Sequence, residues 1–185
     1  DSVIIPPPVK LVDQKLPVLE KSQRSFALFV GRWAYSKHPE LAIHACQTLG
    51  IPLKVVGAGG MFDKIRSLAG PETELLGSVS DKVLADLYQH AKFVIHPAED
   101  EDFGIVPIEA MAAGTPVLAH ASGEPQYTVQ DDVSGILVES LQPVAWLEAV
   151  REANTRNWNY LAIQKSVQQF SSQKFFESLT QLIAR

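Results

Sequence analysis

The stretch "KFVIHPAEDEDFGIVPIEAMAAGTPVLAH", Lys92–His120, carries the pattern that decides the fold. Short apolar runs bounded by turn residues predict one strand at Lys92–Pro97 and another at Thr115–His120. Between them, Pro107 lies in the first turn of a predicted helix, and Gly114 follows the end of that helix. A strand, a helix and a second strand in this order form a βαβ unit, in which the two strands run parallel.

The same alternation of strands and helices extends over most of the chain. Four more strands are predicted from apolar runs: Phe26–Gly31, Pro52–Gly57, Glu74–Gly77 and Gly135–Glu139. Helices are predicted at Pro39–Leu49, near Phe62–Leu68, from a cap at Ser80 or Asp81 to about Gln89, and over Pro143–Arg185 with a break at Asn154–Asn159. Ser2–Pro8 is expected to be an extended entry, and Lys10–Arg24 a loop. This order predicts an α/β fold in a single domain: a Rossmann-like doubly wound parallel sheet of about six strands with helices on both faces.

Composition and charge limit the class of protein. The chain has 185 residues, of which 46% are hydrophobic and 20% charged, as is typical of one globular domain. A net charge of −5 and a pI near 5.5 argue against a nucleic-acid binder, which usually carries a basic stripe. Cys46 is the only cysteine, which excludes an internal disulfide and fits a reducing, cytoplasmic compartment. No apolar run approaches the ~20 residues of a membrane span. Because the chain begins with Asp1 and shows no signal peptide, we expect a piece of a longer protein.

In a parallel sheet of this kind, ligands bind in the loops that follow the carboxyl ends of the strands. These loops are Gly31–His38, Gly57–Met61, Gly77–Asp81, Pro97–Val106 and His120–Gln126. The first loop contains Arg32 and Lys37 close to a helix start, and two cations beside free helix N–H groups suit a diphosphate. The alternative is that both side chains are solvated surface cations.

Two further loops could meet a ligand through their backbone. "VGAGG", Val56–Gly60, is not a full dinucleotide-binding fingerprint, yet Gly57 and Gly59 permit the close approach of a ligand. A plain tight turn explains these glycines equally well. Backbone groups of "GSVSD", Gly77–Asp81, could face a planar base, and the alternative there is simple capping of the next helix.

The acidic run Glu99–Asp102 leads into an apolar helix that contains one more carboxylate, Glu109. Acids beside a helix N-terminus gain ~0.3–1 kcal/mol each from the macrodipole, which accounts for Asp100 or Asp102. The macrodipole does not account for Glu109, because that residue lies about one turn into the helix. A carboxylate among apolar neighbours needs a partner, and ribose hydroxyls or a neighbouring cation would each supply one. Seven residues separate Glu101 from Glu109, so the loop and the helix could present both carboxylates to one ligand.

The segment "EDFGIVPIE" resembles the E-x7-E motif in the C-terminal, donor-binding domain of retaining GT-B glycosyltransferases, glycosyltransferase family 4 (group 1). The wider resemblance includes "FVGRWAYSKHPELAIHA", "VVGAGG", "LLGSVSDKVLADLYQHAKFVIHP" and "EAMAAGTPVLA" in the family's order, and it covers nearly the whole chain from Val3 onward. "PAEDEDFGIVPIEA" is most similar to the WbaZ-type mannosyltransferases. The resemblance implies the C-terminal half of a GT-B fold and a hexosyltransferase.

The resemblance also implies a role for each matching residue. Arg32 and Lys37 would hold the diphosphate of a sugar nucleotide and stabilise the departing nucleoside diphosphate, and Glu101 would accept hydrogen bonds from sugar hydroxyls. Glu109 would accept hydrogen bonds from the ribose. Three groups of backbone positions complete the implied site. Gly31, Gly57 and Gly59 would lie along the nucleotide, and Ser78 and Val79 would lie beside the base. The backbone N–H groups of Phe103, Gly104 and Ile105 would donate to sugar and phosphate oxygens. No metal ion is required, because the two cations take its place.

The implied donor is a nucleotide sugar, with GDP-mannose favoured and a UDP-sugar as the alternative. The implied acceptor is a glycan or a lipid-linked acceptor, bound by an N-terminal domain that this chain does not contain. We therefore expect this chain to bind nucleotide but to transfer sugar poorly or not at all by itself. The longer protein could associate peripherally with the inner face of a membrane, since many relatives use lipid-linked acceptors.

Two departures from the family pattern support other hypotheses. His38 stands where a glycine commonly follows the loop lysine, and Tyr127 stands where the pattern G-G-x-x-E would place an acid in "SGEPQY". Tyr127 and the single-domain length favour a degenerate GT-B domain that acts as a non-catalytic binding or interaction module. A sugar-nucleotide epimerase or a phosphorylase is a third hypothesis, but the sequence singles out no acid/base pair for an epimerase.

The remaining distinctive residues are predicted to be structural. His44, His90 and His96 are expected to pack or to cap helices, whereas Trp33, in the cation loop, could face the absent domain. A core stripe is predicted on the helix that follows Pro143: Trp146, Leu147, Ala149 and Val150. The apolar stripe of Gln173–Ile183 is interpreted as ordinary packing that this chain leaves partly uncovered.

Overall fold

A six-stranded parallel sheet forms the centre of the molecule, for which a computed structural model describes residues 4–184. Its strands are β1 (Phe26–Val30), β2 (Leu53–Val56), β3 (Thr73–Gly77), β4 (Ala91–His96), β5 (Val117–His120) and β6 (Gly135–Val138). They lie in the order β3-β2-β1-β4-β5-β6, and every neighbouring pair is parallel. The prediction of a Rossmann-like doubly wound sheet of about six strands is confirmed.

Helices follow the strands in the predicted order. Their bounds are α1 (Lys10–Asp13), α2 (Pro39–Leu49), α3 (Phe62–Leu68), α4 (Asp81–His90), α5 (Ile105–Ala112), α6 (Pro125–Thr128), α7 (Pro143–Thr155), α8 (Tyr160–Ser166) and α9 (Ser172–Ile183). Short 3-10 turns occupy Lys21–Gln23, Tyr35–Lys37 and Gln168–Phe170. Contacts among the helices divide them between the faces of the sheet: α2 packs on α3 and α7, whereas α5 packs on α1, α4 and α8.

The ends of the helices are set by the local chemistry that the sequence indicates. Pro39 opens α2, and Gly50 closes it in the left-handed conformation with φ 62°. The hydroxyl of Ser80 caps α4 by accepting a hydrogen bond from the Val83 N–H at 3.4 Å. These helices therefore begin and end within one residue of the predicted positions.

The core lies on both faces of the sheet. All five residues of β1 are buried, and so are Phe93, Val94 and Ile95 of β4, because a central parallel strand is covered by helices on each side. The predicted core stripe of α7 is confirmed for Trp146, Ala149 and Val150, which are buried, whereas Leu147 is half-buried.

Two predictions about the chain ends need correction, and a third lies partly outside the described residues. Lys10–Arg24 is not a plain loop, since its α1 buries Leu11 and Val12 and the Ser172 hydroxyl donates to Asp13 Oδ2 at 2.5 Å. The helical region after Pro143 is broken a second time, where a 3-10 turn at Gln168–Phe170 precedes α9. The extended entry predicted at Ser2–Pro8 lies partly outside the described residues, and residues 4–8 form no regular element.

The last helix, α9, is largely uncovered. None of its described residues is buried, and Phe176 and Ile183 are strongly exposed, so the expected uncovered part of the stripe is present. Between residues 4 and 184, no helix combines the length and apolar character that crossing a bilayer requires.

Candidate functional site

A cavity of about 230 Å³ opens at the carboxyl ends of the two central strands, β1 and β4. Its lining comes from β1, β4, the loop that follows each of them, and the first turn of α5: Phe29, Val30, Gly31, Arg32, Lys37, His96, Ala98, Glu101 and Val106. This is the edge at which ligands bind in open parallel sheets. The structure therefore brings three of the predicted side chains, Arg32, Lys37 and Glu101, to one place.

The loop between β1 and α2 is held down by its own backbone. The Gly31 N–H donates to the Val56 carbonyl at 3.1 Å, and the Trp33 N–H donates to the Ala58 carbonyl at 3.0 Å. The Trp33 indole is 1% exposed and stacks on the Phe62 ring, with 5.8 Å between the ring centroids. Trp33 was expected to be able to face an absent domain, but its burial beneath Phe62 leaves no surface of the indole for such a contact.

Glu101 lies between a cation and a buried imidazole. The Lys37 ammonium donates to Glu101 Oε2, and His96 Nε2 lies 3.6 Å from the same oxygen. His96 and Lys37 lower the pKa of Glu101 to about 2, against partial burial of the carboxyl, which raises it. The Lys37 contact is direct, whereas the 3.6 Å separation from His96 exceeds hydrogen-bond distance. Glu101 therefore stays ionised over the whole physiological pH range.

His96 is a site residue that the sequence reasoning missed. Its side chain is buried at the end of β4 and lines the cavity, although packing or capping was expected. Within residues 4–184, its Nε2 has no hydrogen-bond partner. Its position in the sequence could have indicated this role, because His96 is a polar residue at the end of a buried strand, on the edge of the sheet where ligands bind.

His38 joins the cation loop to the acidic loop. Its Nε2 lies 3.0 Å from Glu99 Oε2, and the Glu99 N–H donates to the Ser36 carbonyl at 2.9 Å. The backbone of His38 is left-handed, with φ 46°, a conformation that glycine adopts without strain. A glycine at this position would therefore adopt the same turn without strain.

The backbone at the start of α5 is shaped by two glycines. Gly104 has φ 73°, and Gly123 packs so closely on the acidic loop that an added Cβ would lie 2.5 Å from the Glu101 carbonyl oxygen. Among the described residues, the N–H groups of Phe103, Gly104 and Ile105 donate no hydrogen bond outside the helix ladder. Their predicted use as donors to sugar and phosphate oxygens remains a prediction.

Glu109 lies in different surroundings from Glu101. It lines a second cavity, of about 40 Å³, together with Lys10, Leu11, Gln14, Asp81, Leu84, Ala85 and Tyr88. The Tyr88 hydroxyl donates to Glu109 Oε2 at 3.0 Å, so the partner is neither of the two groups expected from the sequence. Burial raises the pKa of Glu109, the Tyr88 hydrogen bond lowers it, and the Asp81 charge raises it further. The role of Glu109 in ribose binding remains a prediction.

The glycines of "VGAGG" pack against the protein's own backbone. An added Cβ at Gly57 would lie 1.9 Å from the Gly31 carbonyl oxygen, and one at Gly59 would lie 2.4 Å from the Trp33 carbonyl oxygen. Close contact between two loops is therefore one physical reason for these glycines. Approach to a nucleotide remains a prediction, as does the placing of a base beside Ser78, which is exposed after β3, and Val79.

Metal-binding geometry is not evident in residues 4–184, where no group of three or more His, Cys, Asp and Glu side chains could hold an ion. The cations that line the main cavity are Arg32 and Lys37. Fixed cations of this kind can bind an anion such as a diphosphate.

Comparison with known proteins identifies relatives of this chain by sequence and by fold. The profile of the family described as "Glycosyl transferases group 1" matches residues 13–170. A D-inositol 3-phosphate glycosyltransferase of Xylanimonas cellulosilytica is 37% identical over 136 residues, covering 66% of this chain and 32% of the relative. One from Mycobacteroides abscessus is 32% identical over 149 residues, covering 74% of this chain and 33% of the relative. The chain thus spans about a third of the length of these curated relatives.

Solved structures share the fold over nearly the whole chain. The lipopolysaccharide outer core galactosyltransferase WaaB, in its apo form, superposes with a TM-score of 0.78 at 17% identity, over 99% of this chain and 52% of its own. A sucrose-phosphate synthase of Thermosynechococcus elongatus gives 0.74 at 25% identity, over 97% of this chain and 49% of its own. HepE of Anabaena, solved with UDP and glucose, superposes with a TM-score of 0.72 at 21% identity, covering 95% of this chain and 51% of the HepE chain.

Proposed function

This chain belongs to the family of glycosyl transferases group 1, and from that membership we propose that it binds the nucleotide-sugar donor of a retaining hexosyltransferase. The hexose, mannose by the resemblance of the acidic segment, would pass from the donor to a glycan or a lipid-linked acceptor. This proposal concerns the larger protein, of which the chain would supply the donor domain.

The observation that carries the proposal is the arrangement of charges in the main cavity. Arg32 and Lys37 line one opening with Glu101, and Lys37 contacts the Glu101 carboxylate directly. A ligand that fits must carry negative charge for the cations and hydroxyl groups for the carboxylate. A sugar joined to a diphosphate has both.

The cations would act on the departing group. When the bond between the anomeric carbon and the diphosphate oxygen breaks, its electron pair stays on that oxygen, and negative charge develops there. Arg32 and Lys37 are already in place, so they stabilise that charge without reorganising. Glu101, held at Oε2, would accept hydrogen bonds from hydroxyls of the transferred sugar. No metal ion is part of this proposal.

Two donors are candidates. The resemblance to WbaZ-type mannosyltransferases favours GDP-mannose. Three neighbours of the same fold were solved with UDP, and they favour a UDP-sugar: HepE with UDP and glucose, a pneumococcal O-GlcNAc transferase with UDP and GlcNAc, and TarM with UDP and alpha-GlcNAc-glycerol. Since the base would meet mainly backbone groups near Ser78 and Val79, side chains do not decide between the two.

The acceptor would be bound outside this chain. We propose that the longer protein is cytoplasmic, supplies an acceptor domain and could approach a membrane surface where the acceptor is lipid-linked. The chain alone should then turn over far more slowly than the longer protein at equal molar concentration. Equal rates would contradict the need for a second domain.

A second function, as a non-catalytic binding module, is favoured by one observation. Tyr127 occupies the place of the family's acid and is 77% exposed. A module of this kind would bind nucleotide through the same cations, and the longer protein would show no transfer to any acceptor.

The proposal is tested by calorimetric titration of the chain with GDP, UDP, ADP and GDP-mannose. We expect saturable binding of one nucleoside diphosphate and an affinity loss of roughly 10–100-fold in Arg32→Met, the size of one charge-assisted contact. The matched control is Arg151→Met, which removes an exposed arginine of α7 and should leave the affinity unchanged. A folded chain that binds none of the four, or binds equally well in Arg32→Met, would refute a donor site here.

A further inference from the structure

Tyr88 is a fully buried tyrosine whose hydroxyl points at one of the two motif carboxylates. The side chain lies in α4 with an exposure of 0%, and its hydroxyl donates to Glu109 Oε2 on α5 at 3.0 Å. No other hydrogen bond of this hydroxyl occurs within residues 4–184. The contact joins two neighbouring helices through a single oxygen atom.

Packing alone does not require these two polar groups. A phenylalanine would fill the site of Tyr88, and burying a hydroxyl costs free energy unless it is hydrogen-bonded. Glu109 is half-buried in α5, between the buried residues Ile108 and Ala110, where partial loss of water from a carboxylate also costs free energy. Each polar group makes the other tolerable, yet an apolar pair would pack at lower cost. The pair therefore calls for a functional explanation.

The backbone of Tyr88 is anchored to the sheet. The Thr115 hydroxyl donates to the Tyr88 carbonyl at 2.5 Å, and Arg24 Nη1 donates to the Thr115 hydroxyl at 2.6 Å. The same guanidinium nitrogen donates to the Ala91 carbonyl, at the start of β4, at 2.9 Å. Tyr88 is thus fixed relative to β4 and to the segment that enters β5, so its hydroxyl has little freedom to move.

The groups around Glu109 are few. From α4 it faces Tyr88 and Asp81, and across the small cavity it faces Lys10 of α1 and Gln14, the residue that follows α1. The Lys10 ammonium lies 3.4 Å from Asp81 Oδ2, so Asp81 already engages this cation. Tyr88 therefore provides the one hydrogen bond to the Glu109 carboxylate among the described residues.

We infer that Tyr88 is the positioning residue of Glu109: its hydroxyl holds Oε2 and thereby turns Oε1 toward a ligand that carries vicinal hydroxyls. The inference rests on the proposed function, because the ligand would be the ribose of a nucleoside diphosphate. Tyr88 acts through Glu109 and does not touch the nucleotide.

A consequence follows for the pH dependence of binding. An ionised carboxylate accepts stronger hydrogen bonds than a neutral one, so nucleotide affinity should fall as Glu109 takes up a proton. Because the Tyr88 hydrogen bond lowers the pKa of Glu109, its loss should move that fall to higher pH. A merely structural tyrosine would change the affinity without moving the pH midpoint.

The test compares Tyr88→Phe with wild type in calorimetric titrations with UDP and with GDP between about pH 5 and about pH 8, alongside NMR titration of the Glu109 side-chain carboxyl. We expect the midpoint of the affinity loss and the Glu109 pKa both to rise by about one pH unit in Tyr88→Phe. Glu109→Gln should bind weakly and lose this pH dependence. Tyr160→Phe, which removes the hydroxyl of another buried tyrosine, is the matched control and should move neither midpoint.

The outcomes separate the inference from the proposed function. A folded Tyr88→Phe chain with wild-type affinity and midpoint overturns the inference and leaves the donor site intact. A wild-type chain that binds neither UDP nor GDP overturns the proposed function. The assignment of a ribose as the ligand of Glu109 is then also overturned, even if the NMR titration shows that Tyr88 changes the pKa of Glu109. If Tyr88→Phe does not fold, Thr115→Val removes the hydrogen bond that anchors the Tyr88 backbone and so displaces the hydroxyl by other means, and an unmoved midpoint in that variant overturns the inference.

Discussion

Seven residues separate Glu101 from Glu109 in the chain, yet the two carboxylates lie in opposite electrostatic surroundings. Glu101 is contacted by Lys37 and faced by His96, which together hold its pKa at about 2. Glu109 is contacted by a neutral hydroxyl, and its burial and the Asp81 charge raise its pKa. One carboxylate is fixed in the ionised form, and the other titrates closer to neutral pH.

The difference teaches how a fold can use one residue type in two ways. Carboxylates with divergent surroundings often have divergent roles in a binding site. Glu101 is built to stay charged beside cations, whereas Glu109 is held by geometry more than by charge. Substitutions near Glu101 and at Glu109 test this difference.

The largest loss of stability is expected from Gly57→Ala, which alters the loops around the Glu101 cavity and not the surroundings of Glu109. The new Cβ would lie 1.9 Å from the Gly31 carbonyl oxygen, and the backbone there has φ 131°, which L-residues rarely adopt. We expect a loss of about 3 kcal/mol of unfolding free energy, seen as a fall in Tm of roughly 6–12 °C.

Gly60→Ala is the matched control, because a Cβ there meets nothing within 4 Å. It should leave Tm within about 2 °C of wild type. In Gly57→Ala chains that remain folded, the Tyr88–Glu109 hydrogen bond should persist in NMR spectra. Equal Tm values for the two glycine variants would show that the loops separate without cost.

Lys37→Met should remove the direct cation from both Glu101 and the diphosphate. We expect the affinity for a nucleoside diphosphate to fall roughly 10–100-fold, since a charge-assisted contact is lost and Glu101 is left without its cation. Calorimetry measures the change. Lys174→Met, which breaks the exposed ion pair with Glu177 on α9, should bind as wild type does, and an equal loss in both would point to a general charge effect.

His96→Leu tests the buried imidazole. The pKa of Glu101, about 2 in the wild type, should rise by about one pH unit, because the group facing Oε2 from the strand is gone. Because the folded-state pKa of Glu101 is lowered, its ionised carboxylate contributes stability that is fully present above the ordinary pKa of 4.5 and is lost as pH falls toward 2. The variant has less of this stability, so on acidification it should unfold at a higher pH than wild type.

NMR titration of the Glu101 carboxyl measures the shift for His96→Leu. His44→Leu, at an exposed position of α2, is the control and should leave that titration unchanged. An unmoved Glu101 pKa in His96→Leu would assign the whole effect to Lys37.

The smallest effect is expected from Glu109→Gln, and it is a gain in stability. Because the folded-state pKa of Glu109 is raised, the ionised carboxylate destabilises the fold increasingly as pH rises above 4.5. Gln keeps the Tyr88 hydrogen bond without the charge. We expect the variant to gain about 1 kcal/mol near pH 8, or roughly 2–4 °C in Tm, and nothing in acid.

Thermal unfolding at two pH values checks this last prediction. Glu148→Gln, on the exposed face of α7, should leave Tm unchanged at both. A gain that does not grow with pH would mean that Glu109 carries no charge penalty. Together with weaker nucleotide binding, the gain would show that function and stability compete at this residue.

Much of this comparison could be anticipated from the chain alone. The convergence of Arg32, Lys37 and Glu101 follows from one rule, that loops after the strands of a parallel sheet meet at one edge. The need of Glu109 for a partner was likewise evident from its apolar neighbours. What the sequence did not indicate was the protein group that meets Glu109, since Tyr88 lies in α4 and only helix packing brings it to α5.

Local patterns of the sequence determined the order of strands and helices, their caps and the edge on which the site lies, because these depend on residues a few positions apart. The tertiary structure alone decided that Trp33 is covered by Phe62, that His96 faces Glu101, and that the two motif carboxylates line different cavities. Those outcomes depend on distances between elements far apart in the chain. Burial and neighbouring charge set them, and neither can be read from periodicity.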